Sequence, residues 1–154
     1  MGSYILTRVQ KLPINIPTAW DFFSAPDNLD AITPSDVSFR QLSPAERMYE
    51  GQIIRYYISP ILGIPLFWMT EITHVREGEY FVDEQRFGPY AFWHHKHFFK
   101  AILGGVEMQD VVDYKLPLGI LGNVAHALFV RKKLEGIFDY RYKVFEERFG
   151  KYQG

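Results

Sequence analysis

Three of the chain's five histidines lie in one aromatic run, Phe92–Phe99. If this run is a β-strand, alternate side chains point to opposite faces. His94 and Lys96 then share a face that we expect to be solvated. The other face carries two imidazoles between aromatic rings: Trp93, His95, His97 and Phe99. Imidazoles change protonation near neutral pH and also bind metals. This face is therefore the candidate functional site.

Periodicity and turn signals predict the elements that position these histidines. Ser3–Leu12 is expected to form a first strand, and two short helices that begin near prolines are expected at Pro17–Phe23 and Pro26–Ile32. Six further segments have the β-branched and aromatic composition of strands: Val37–Leu42, Gln52–Ser59, Leu66–Arg76, Glu79–Phe87, Ala91–Leu103 and Val106–Leu116.

The pattern becomes helical near the C-terminus. From Leu121 to Phe149, apolar residues recur at three- and four-residue steps, which predicts one long helix. A run of strands followed by a segregated helix is typical of an α+β layer. We therefore expect a single domain, residues 1–154, in which a curved seven-stranded antiparallel sheet wraps around the C-terminal helix.

Turn signals also predict how the strands pair. Glu77-Gly78 and Gly104-Gly105 fit two-residue hairpin loops, and Gly88-Pro89-Tyr90 fits a three-residue loop. A change of one residue in the last loop would exchange the two faces of the strands. Counting back from the loops gives these predicted pairs: Ile72–Asp83, Thr70–Gln85, Trp68–Phe87, Asp83–His95, Gln85–Trp93, His95–Tyr114, His97–Val112 and Phe99–Asp110.

This register gathers aromatic and polar side chains on one concave face. The apolar walls of a cavity are predicted at Trp68, Phe81, Trp93, Met108 and Tyr114. The polar floor is predicted at Asp83, Gln85, His95, His97 and Asp110. Thr70 shares this face and is expected to contact the same ligand.

Four interpretations of the cluster remain open at this point. The polar groups could satisfy one another in a structural network, or they could orient a mostly apolar ligand. In an enzyme, His95 or His97 would move protons and Asp83 or Asp110 would orient the imidazole. Both histidines with one of the carboxylates could also bind a metal. Spacing alone is weak support for a metal, so we predict no metal and no other cofactor.

Composition excludes several classes of function. With 17 basic and 18 acidic residues, the net charge of −1 gives no basic excess for nucleic-acid binding. The chain has no cysteine and no G-x-S-x-G motif, so a thiolate or a serine-elbow nucleophile is not expected.

The longest apolar stretch, Leu116–Val130, is interrupted by Asn123 and His126 and is too short for a membrane span. Together with the basic run Arg131–Lys133 it could touch a membrane surface, although such a pattern more often buries its apolar side. The residues Met1–Tyr4 lack the pattern of a secretory signal. We expect a cytoplasmic monomer or homodimer without stable membrane insertion.

Several segments together resemble the START-like, Bet v 1-like (SRPBCC) superfamily, and within it the bacterial polyketide cyclase/dehydrase-like, ligand-binding subgroup. The similarity covers nearly the whole chain. These segments carry it: Asn28–Pro34, Phe81–Gln85, Gly88–Tyr90, Trp93–Phe98, Leu116–Gly119 and Phe138–Arg141.

The resemblance implies the helix-grip fold, with two short helices after the first strand and a cavity under the long helix. It also implies a lipid, polyketide or aromatic ligand. We therefore expect the domain to bind a small hydrophobic or amphipathic molecule. The alternatives are a cyclase or dehydratase that uses a His-Asp pair, and a protein-interaction module that reuses the fold.

Overall fold

The computed structural model describes residues 2–44, 46–59 and 63–154. A curved antiparallel sheet of seven strands has the spatial order β1-β7-β6-β5-β4-β3-β2, so β1 and β2 form its edges. The strands are β1 Tyr4–Leu12, β2 Phe39–Gln41, β3 Ile53–Ile58, β4 Leu66–Arg76, β5 Tyr80–Phe87, β6 Phe92–Ile102 and β7 Gly105–Lys115.

Two short helical segments follow β1. Helix α1 spans Ile16–Phe23 and begins at Asn15, whose side-chain oxygen accepts a hydrogen bond from the Thr18 N–H at 2.9 Å. This bond satisfies one of the free N–H groups of the first turn. A 3-10 helix at Pro26–Leu29 comes next.

The C-terminal helix is continuous but changes its winding. It comprises α2 at Gly119–Ala125, a π-helical turn at His126–Val130 and α3 at Arg131–Phe149. None of the helices in the described part of the chain is long and apolar enough to cross a membrane.

The predicted order of elements is confirmed, and two of the segments are shorter than expected. The second helical segment ends at Leu29 rather than Ile32, because it is a 3-10 helix, whose poorer hydrogen-bond geometry limits it to short runs. Strand β2 begins only at Phe39, because Ser38 has a φ of 49°, which interrupts extended structure.

The β6–β7 hairpin turns one residue earlier than predicted. Ile102 pairs with Gly105, so the loop is Leu103-Gly104. A Cβ on Gly105 would lie 2.1 Å from the carbonyl oxygen of Leu12, so this glycine serves close packing against β1, while Gly104 provides the positive φ of 74°. The predicted pairs on β7 were therefore wrong by two residues. The observed pairs are His95–Val112, His97–Asp110, Phe99–Met108 and Trp93–Tyr114.

The β4–β5 hairpin also differs at its turn. Arg76 pairs with Tyr80, which leaves the three-residue loop Glu77–Glu79 instead of a two-residue loop. An irregularity between Ile72 and His74 compensates for the extra residue. Two predicted pairs are consequently confirmed: Ile72–Asp83 and Thr70–Gln85.

A second irregularity lies further along the same hairpin, between Met69 and Thr70. It pairs Phe87 with Met69, so the predicted Trp68–Phe87 pair was wrong.

The β5–β6 register is the one that decides which face His95 and His97 occupy. The predicted Asp83–His95 pair is confirmed, so the faces have the predicted orientation. Pairing stops at Glu84–His94, and Gln85 therefore does not pair with Trp93. The Gln85 side chain instead donates to the Tyr90 carbonyl at 2.7 Å and accepts from the Tyr90 N–H at 3.0 Å, which holds the connecting loop.

The helices cover the concave face of the sheet through two apolar clusters. In one, Trp20 of α1 and Phe145 of α3 pack with residues such as Phe81 and Phe99. In the other, Leu134 and Phe138 of α3 pack against the C-terminal half of β7: Val112 and Tyr114. Between these clusters the sheet and α3 enclose a space.

Candidate functional site

A cavity of about 630 Å³ lies between the concave face of the sheet and α3. Pockets for small organic ligands typically have volumes of roughly 300–1,000 Å³. Nine of the eleven predicted contact residues line the cavity: Trp68, Thr70, Phe81, Asp83, Trp93, His95, His97, Met108 and Asp110. Their role as ligand contacts stays a prediction.

The other two predicted contacts, Gln85 and Tyr114, lie outside the cavity wall. Gln85 is used in the loop described above. Tyr114 is 2% exposed, and its hydroxyl shares a hydrogen bond of 2.7 Å with Nε2 of His126. The shifted β6–β7 register places Tyr114 beside Trp93 instead of His95, and the residue does not form part of the cavity wall as predicted.

The polar floor consists of two histidines and two aspartates, which we call the His-Asp quartet: Asp83, His95, His97 and Asp110. Nε2 of His97 lies 2.6 Å from Oδ2 of Asp83, and its Nδ1 lies 3.2 Å from Oδ1 of Asp110. Nε2 of His95 lies 2.8 Å from the same Asp110 oxygen. Nδ1 of His95 is 3.8 Å from Oδ2 of Asp83, beyond hydrogen-bond distance.

Strand pairing explains this crossed arrangement. His95 lies directly opposite Asp83 on β5, and His97 lies directly opposite Asp110 on β7. On one face of a sheet, a side chain also reaches the diagonal neighbours of its partner. Each imidazole therefore has one carboxylate opposite and one on the diagonal, and both hydrogen bonds that Nε2 donates run along the diagonals.

Aromatic packing holds the imidazole rings in place. The His97 ring stacks on Phe81 with centroids 4.0 Å apart, and the His95 ring lies 3.7 Å from that of His97. On its other side, His95 meets Phe138 of α3 edge to face at 5.9 Å. The rings are thus confined between the sheet and the helix.

His97 is the charged imidazole of the pair. Burial by itself would lower the pKa of His97, but hydrogen bonds to Asp110 and Asp83 and their negative charges outweigh burial and raise it to about 9. At neutral pH both ring nitrogens therefore carry hydrogen and donate to carboxylates.

His95 is the neutral imidazole. Burial and the nearby charge of His97 lower its pKa, against the opposing effect of Asp110 and Asp83. Its single N–H donates from Nε2 to Asp110, so Nδ1 keeps a lone pair. A donor group of a bound molecule that reached Nδ1 would find both a hydrogen-bond acceptor and a base.

Arg141 is a cavity residue that is not among the predicted contacts. It lies on α3 and lines the cavity with its guanidinium over the Phe138 ring, 5.2 Å from the centroid. Burial lowers its pKa, while Asp110, Tyr56 and Asp83 act in the opposite direction. The available signal was the spacing of Leu134, Phe138, Arg141 and Phe145, which places the arginine on the apolar side of the helix.

Charges in the cavity balance at neutral pH. Burial favours the neutral form of Asp83 and Asp110, but hydrogen bonds from the histidines and nearby positive charges hold both pKa values below the usual range. The two carboxylates are offset by the His97 imidazolium and the Arg141 guanidinium. The cavity is therefore polar at its floor without carrying a net charge.

Three buried donors of cavity-lining residues have no protein acceptor. Nε of Arg8, Nε1 of Trp68 and Nε of Arg141 all lack a hydrogen-bond partner among the described residues. A buried donor without an acceptor costs about 1–3 kcal/mol. A bound molecule with oxygen acceptors would remove this cost.

The quartet also contains a possible set of metal ligands. Asp83, His95 and His97 offer ligand atoms that all lie within 4.8 Å of one another. In the present arrangement, however, both His97 nitrogens donate to carboxylates, so a metal would have to displace a proton from His97. The prediction of a metal-free site remains a prediction.

Comparisons with solved structures identify the fold. The chain is similar to TTHA0849 from Thermus thermophilus, with 17% identity, a TM-score of 0.69 and 96% of each chain covered. It is also similar to the major latex-like protein 151 of Panax ginseng, with 12% identity, a TM-score of 0.69 and 96% and 97% coverage. A third match is Ara h 8.0201, with 15% identity, a TM-score of 0.63 and 95% and 99% coverage.

No protein-family model and no curated relative matches the chain. The narrower resemblance to polyketide cyclase/dehydrase-like proteins therefore stays a prediction. At identities of this size, the structural matches establish the fold alone. The chain has the Bet v 1-like helix-grip fold, which is the fold of the START-like (SRPBCC) superfamily.

Proposed function

We propose that the protein binds a small hydrophobic or amphipathic molecule of the lipid, polyketide or aromatic type in the cavity between sheet and α3. The observation that carries this proposal is the cavity of about 630 Å³ with aromatic walls and a polar floor. A packed interior normally has few voids larger than a water molecule. A cavity of this size therefore favours a ligand that fills it, because its walls then gain the packing contacts that an empty space lacks.

The polar groups suggest what the ligand presents to them. Trp68 and Arg141 contribute donors without acceptors, and Arg141 adds a positive charge. Arginine binds carboxylates with charge-assisted hydrogen bonds, often two at once. We therefore expect an amphipathic ligand whose polar end carries acceptor oxygens, with a carboxylate as the best match.

Native mass spectrometry of the purified protein tests the binding proposal. We expect a bound small molecule, which solvent extraction should release. We also expect the protein emptied in this way to bind anilinonaphthalene sulfonate and to exchange it for oleate. Protein that is free of ligand and binds neither probe would contradict the proposal.

The variant Arg141→Gln tests the expected polar end of the ligand. Because hydrogen bonds to charged groups are worth about 1.5–3 kcal/mol, affinity for oleate should fall by about tenfold or more. Affinity for oleyl alcohol, which lacks the carboxylate, should change much less. Lys143→Gln, two residues along the same helix and exposed, is the matched control. Equal loss for both probes would argue against recognition of a carboxylate.

The second candidate function is a cyclase or dehydratase, and the free Nδ1 lone pair of His95 favours it. Asp110 orients the ring by accepting from Nε2 at 2.8 Å. In a dehydration, His95 would take a proton from a carbon next to a carbonyl and return it to the leaving hydroxyl, which departs as water. The Asp83 carboxylate and the His97 imidazolium would supply fixed charges beside the reacting groups.

His95→Gln separates the enzyme from the binding protein. If His95 is the base of a dehydration, the molecule that co-purifies with the variant should be heavier by one water than that from the unchanged protein. His94→Gln, on the opposite face of β6, is the control. An identical ligand mass in all three proteins would leave binding as the function.

A further inference from the structure

The helix that follows β7 exposes its apolar side and turns its small and polar side toward the protein. Between Leu118 and Val130, six large apolar side chains are 52% to 81% exposed: Leu118, Ile120, Leu121, Val124, Leu128 and Phe129. The side that faces the protein carries small and polar residues, since Gly122 and His126 are the buried ones. A surface helix of a globular protein normally has the opposite arrangement.

Specific contacts keep the helix in this orientation. Asn123 accepts a hydrogen bond from the Tyr4 hydroxyl at 2.9 Å, and His126 shares one of 2.7 Å with Tyr114. The Tyr4 and His126 rings also stack, with centroids 3.4 Å apart. A Cβ on Gly122 would lie 2.1 Å from the Pro117 carbonyl oxygen. Turning the apolar side inward would break all of these contacts.

The charged residues that flank this segment in the sequence are basic. No acidic residue lies between Asp113 and Glu135, and three consecutive basic residues, Arg131–Lys133, follow the apolar segment directly. Arg131 bonds Glu135, and Lys133 bonds Asp36. Lys132 is exposed, and within the described ranges it has no ion-pair partner.

We propose that the exposed apolar side of residues 118–130, together with Lys132, docks on the surface of an anionic lipid bilayer. Helices that lie in a membrane interface have one apolar side with large residues and basic residues beside it. Docked helices of this type sink roughly 5–10 Å into the boundary between headgroups and acyl chains, which would bury the six exposed side chains. The basic side chain would then contact anionic headgroups.

Vesicle flotation of the full chain tests this proposal. The vesicles consist of phosphatidylcholine alone, or of phosphatidylcholine and phosphatidylglycerol in equal parts. We expect the protein to float with the anionic vesicles, and added salt to weaken this binding. Failure to bind the anionic vesicles at low salt would overturn the proposal.

Single substitutions on the exposed side locate the contact. Phe129→Asp should weaken vesicle binding by about tenfold or more, because a buried aromatic side chain is lost and a charge of the wrong sign is added. Leu103→Asp makes a comparable change at a side chain that is 93% exposed on the β6–β7 loop, and it should bind as the unchanged protein does. Equal loss in both variants would show that this helix is not the contact.

Lys132→Ala isolates the charge and should weaken binding by about fivefold. Lys100→Ala, an exposed lysine on β6, is its control. Sedimentation velocity tests the competing explanation, in which a second copy of the chain covers this side. A protein that does not bind vesicles, and that forms a dimer which Phe129→Asp dissociates, would overturn the proposal. The test does not depend on what the cavity binds, because the empty protein has the same helix.

Discussion

His95 and His97 lie two residues apart on one strand, yet they have opposite charge states at neutral pH. Each ring touches the same two aspartates, so the difference is one of geometry. His97 donates to both carboxylates, whereas His95 donates only to Asp110 and faces Asp83 at 3.8 Å. The positive charge of His97 disfavours a second positive charge on His95, because the two ring centroids are only 3.7 Å apart.

The raised pKa of His97 predicts how stability depends on pH. His97 binds its proton more tightly when folded, so its contribution is complete below the unfolded pKa of 6.5 and is lost as the pH rises through about 9. The free energy of unfolding should therefore fall on the order of 3 kcal/mol across this interval. Urea unfolding at a series of pH values measures it.

Two variants define the origin of this pH dependence. The decline between pH 6.5 and 9 should disappear in His97→Gln. It should persist in His94→Gln, where the lost ring faces Glu84 on the other side of the sheet. An unchanged slope in His97→Gln would assign the decline to other groups.

At the scale of elements, two adjacent glycines have different tasks. Gly104 supplies the turn of the β6–β7 hairpin, and Gly105 allows β7 to approach Leu12 at the end of β1. Composition alone does not separate these tasks, because Gly-Gly fits a two-residue loop in itself. The close approach is a contact with a strand that lies more than ninety residues earlier in the chain.

A pair of glycine substitutions tests this assignment. Gly105→Ala should destabilise the protein by more than about 1 kcal/mol, because its Cβ would overlap the Leu12 carbonyl oxygen. Gly136→Ala should instead stabilise it by about 0.5–1 kcal/mol, because Gly136 lies within α3 with no atom within 4 Å of an added Cβ. Midpoints of urea unfolding measure both, and a stable Gly105→Ala variant would contradict the assignment.

At the scale of the whole molecule, the C-terminal helix faces two environments. Its α3 part covers the cavity and contributes Arg141, while the segment before it exposes its apolar side. Leu134, which lines the cavity, comes one helical turn after the exposed segment ends at Val130. The proposed bilayer contact and the proposed ligand site would therefore be neighbours.

Ligand removal should change the stability of the whole molecule. A ligand present at a hundred times its Kd stabilises the folded state by about 2.7 kcal/mol. The Tm of the protein should therefore fall when its co-purified molecule is extracted and should rise again when oleate is added. Arg141→Gln should reduce the rise. A Tm that neither extraction nor oleate changes would show that the cavity does not bind such molecules.

The fold was largely predictable because its determinants are local. Alternation in the strands, proline in the first turn of the short helices and the three- and four-residue steps of the long helix each depend on neighbouring residues. The faces of β6 and β7 were also correct although their loop was placed one residue too late. Moving a two-residue loop by one residue shifts the strand pairing by two residues. Because side chains alternate between faces with a period of two, every side chain stays on its predicted face.

What the sequence by itself determined is the order of elements, the face that carries His95 and His97 and the aromatic character of the walls around them. Tertiary structure alone decided that Asp110 lies opposite His97, that Arg141 enters the same cavity and that the apolar side of residues 118–130 stays exposed. The physical reason is that proton affinity and burial depend on distances between groups far apart in the chain. Strand register and helix packing set those distances. An error of two residues in the predicted register was enough to pair Asp110 with Phe99 instead of His97.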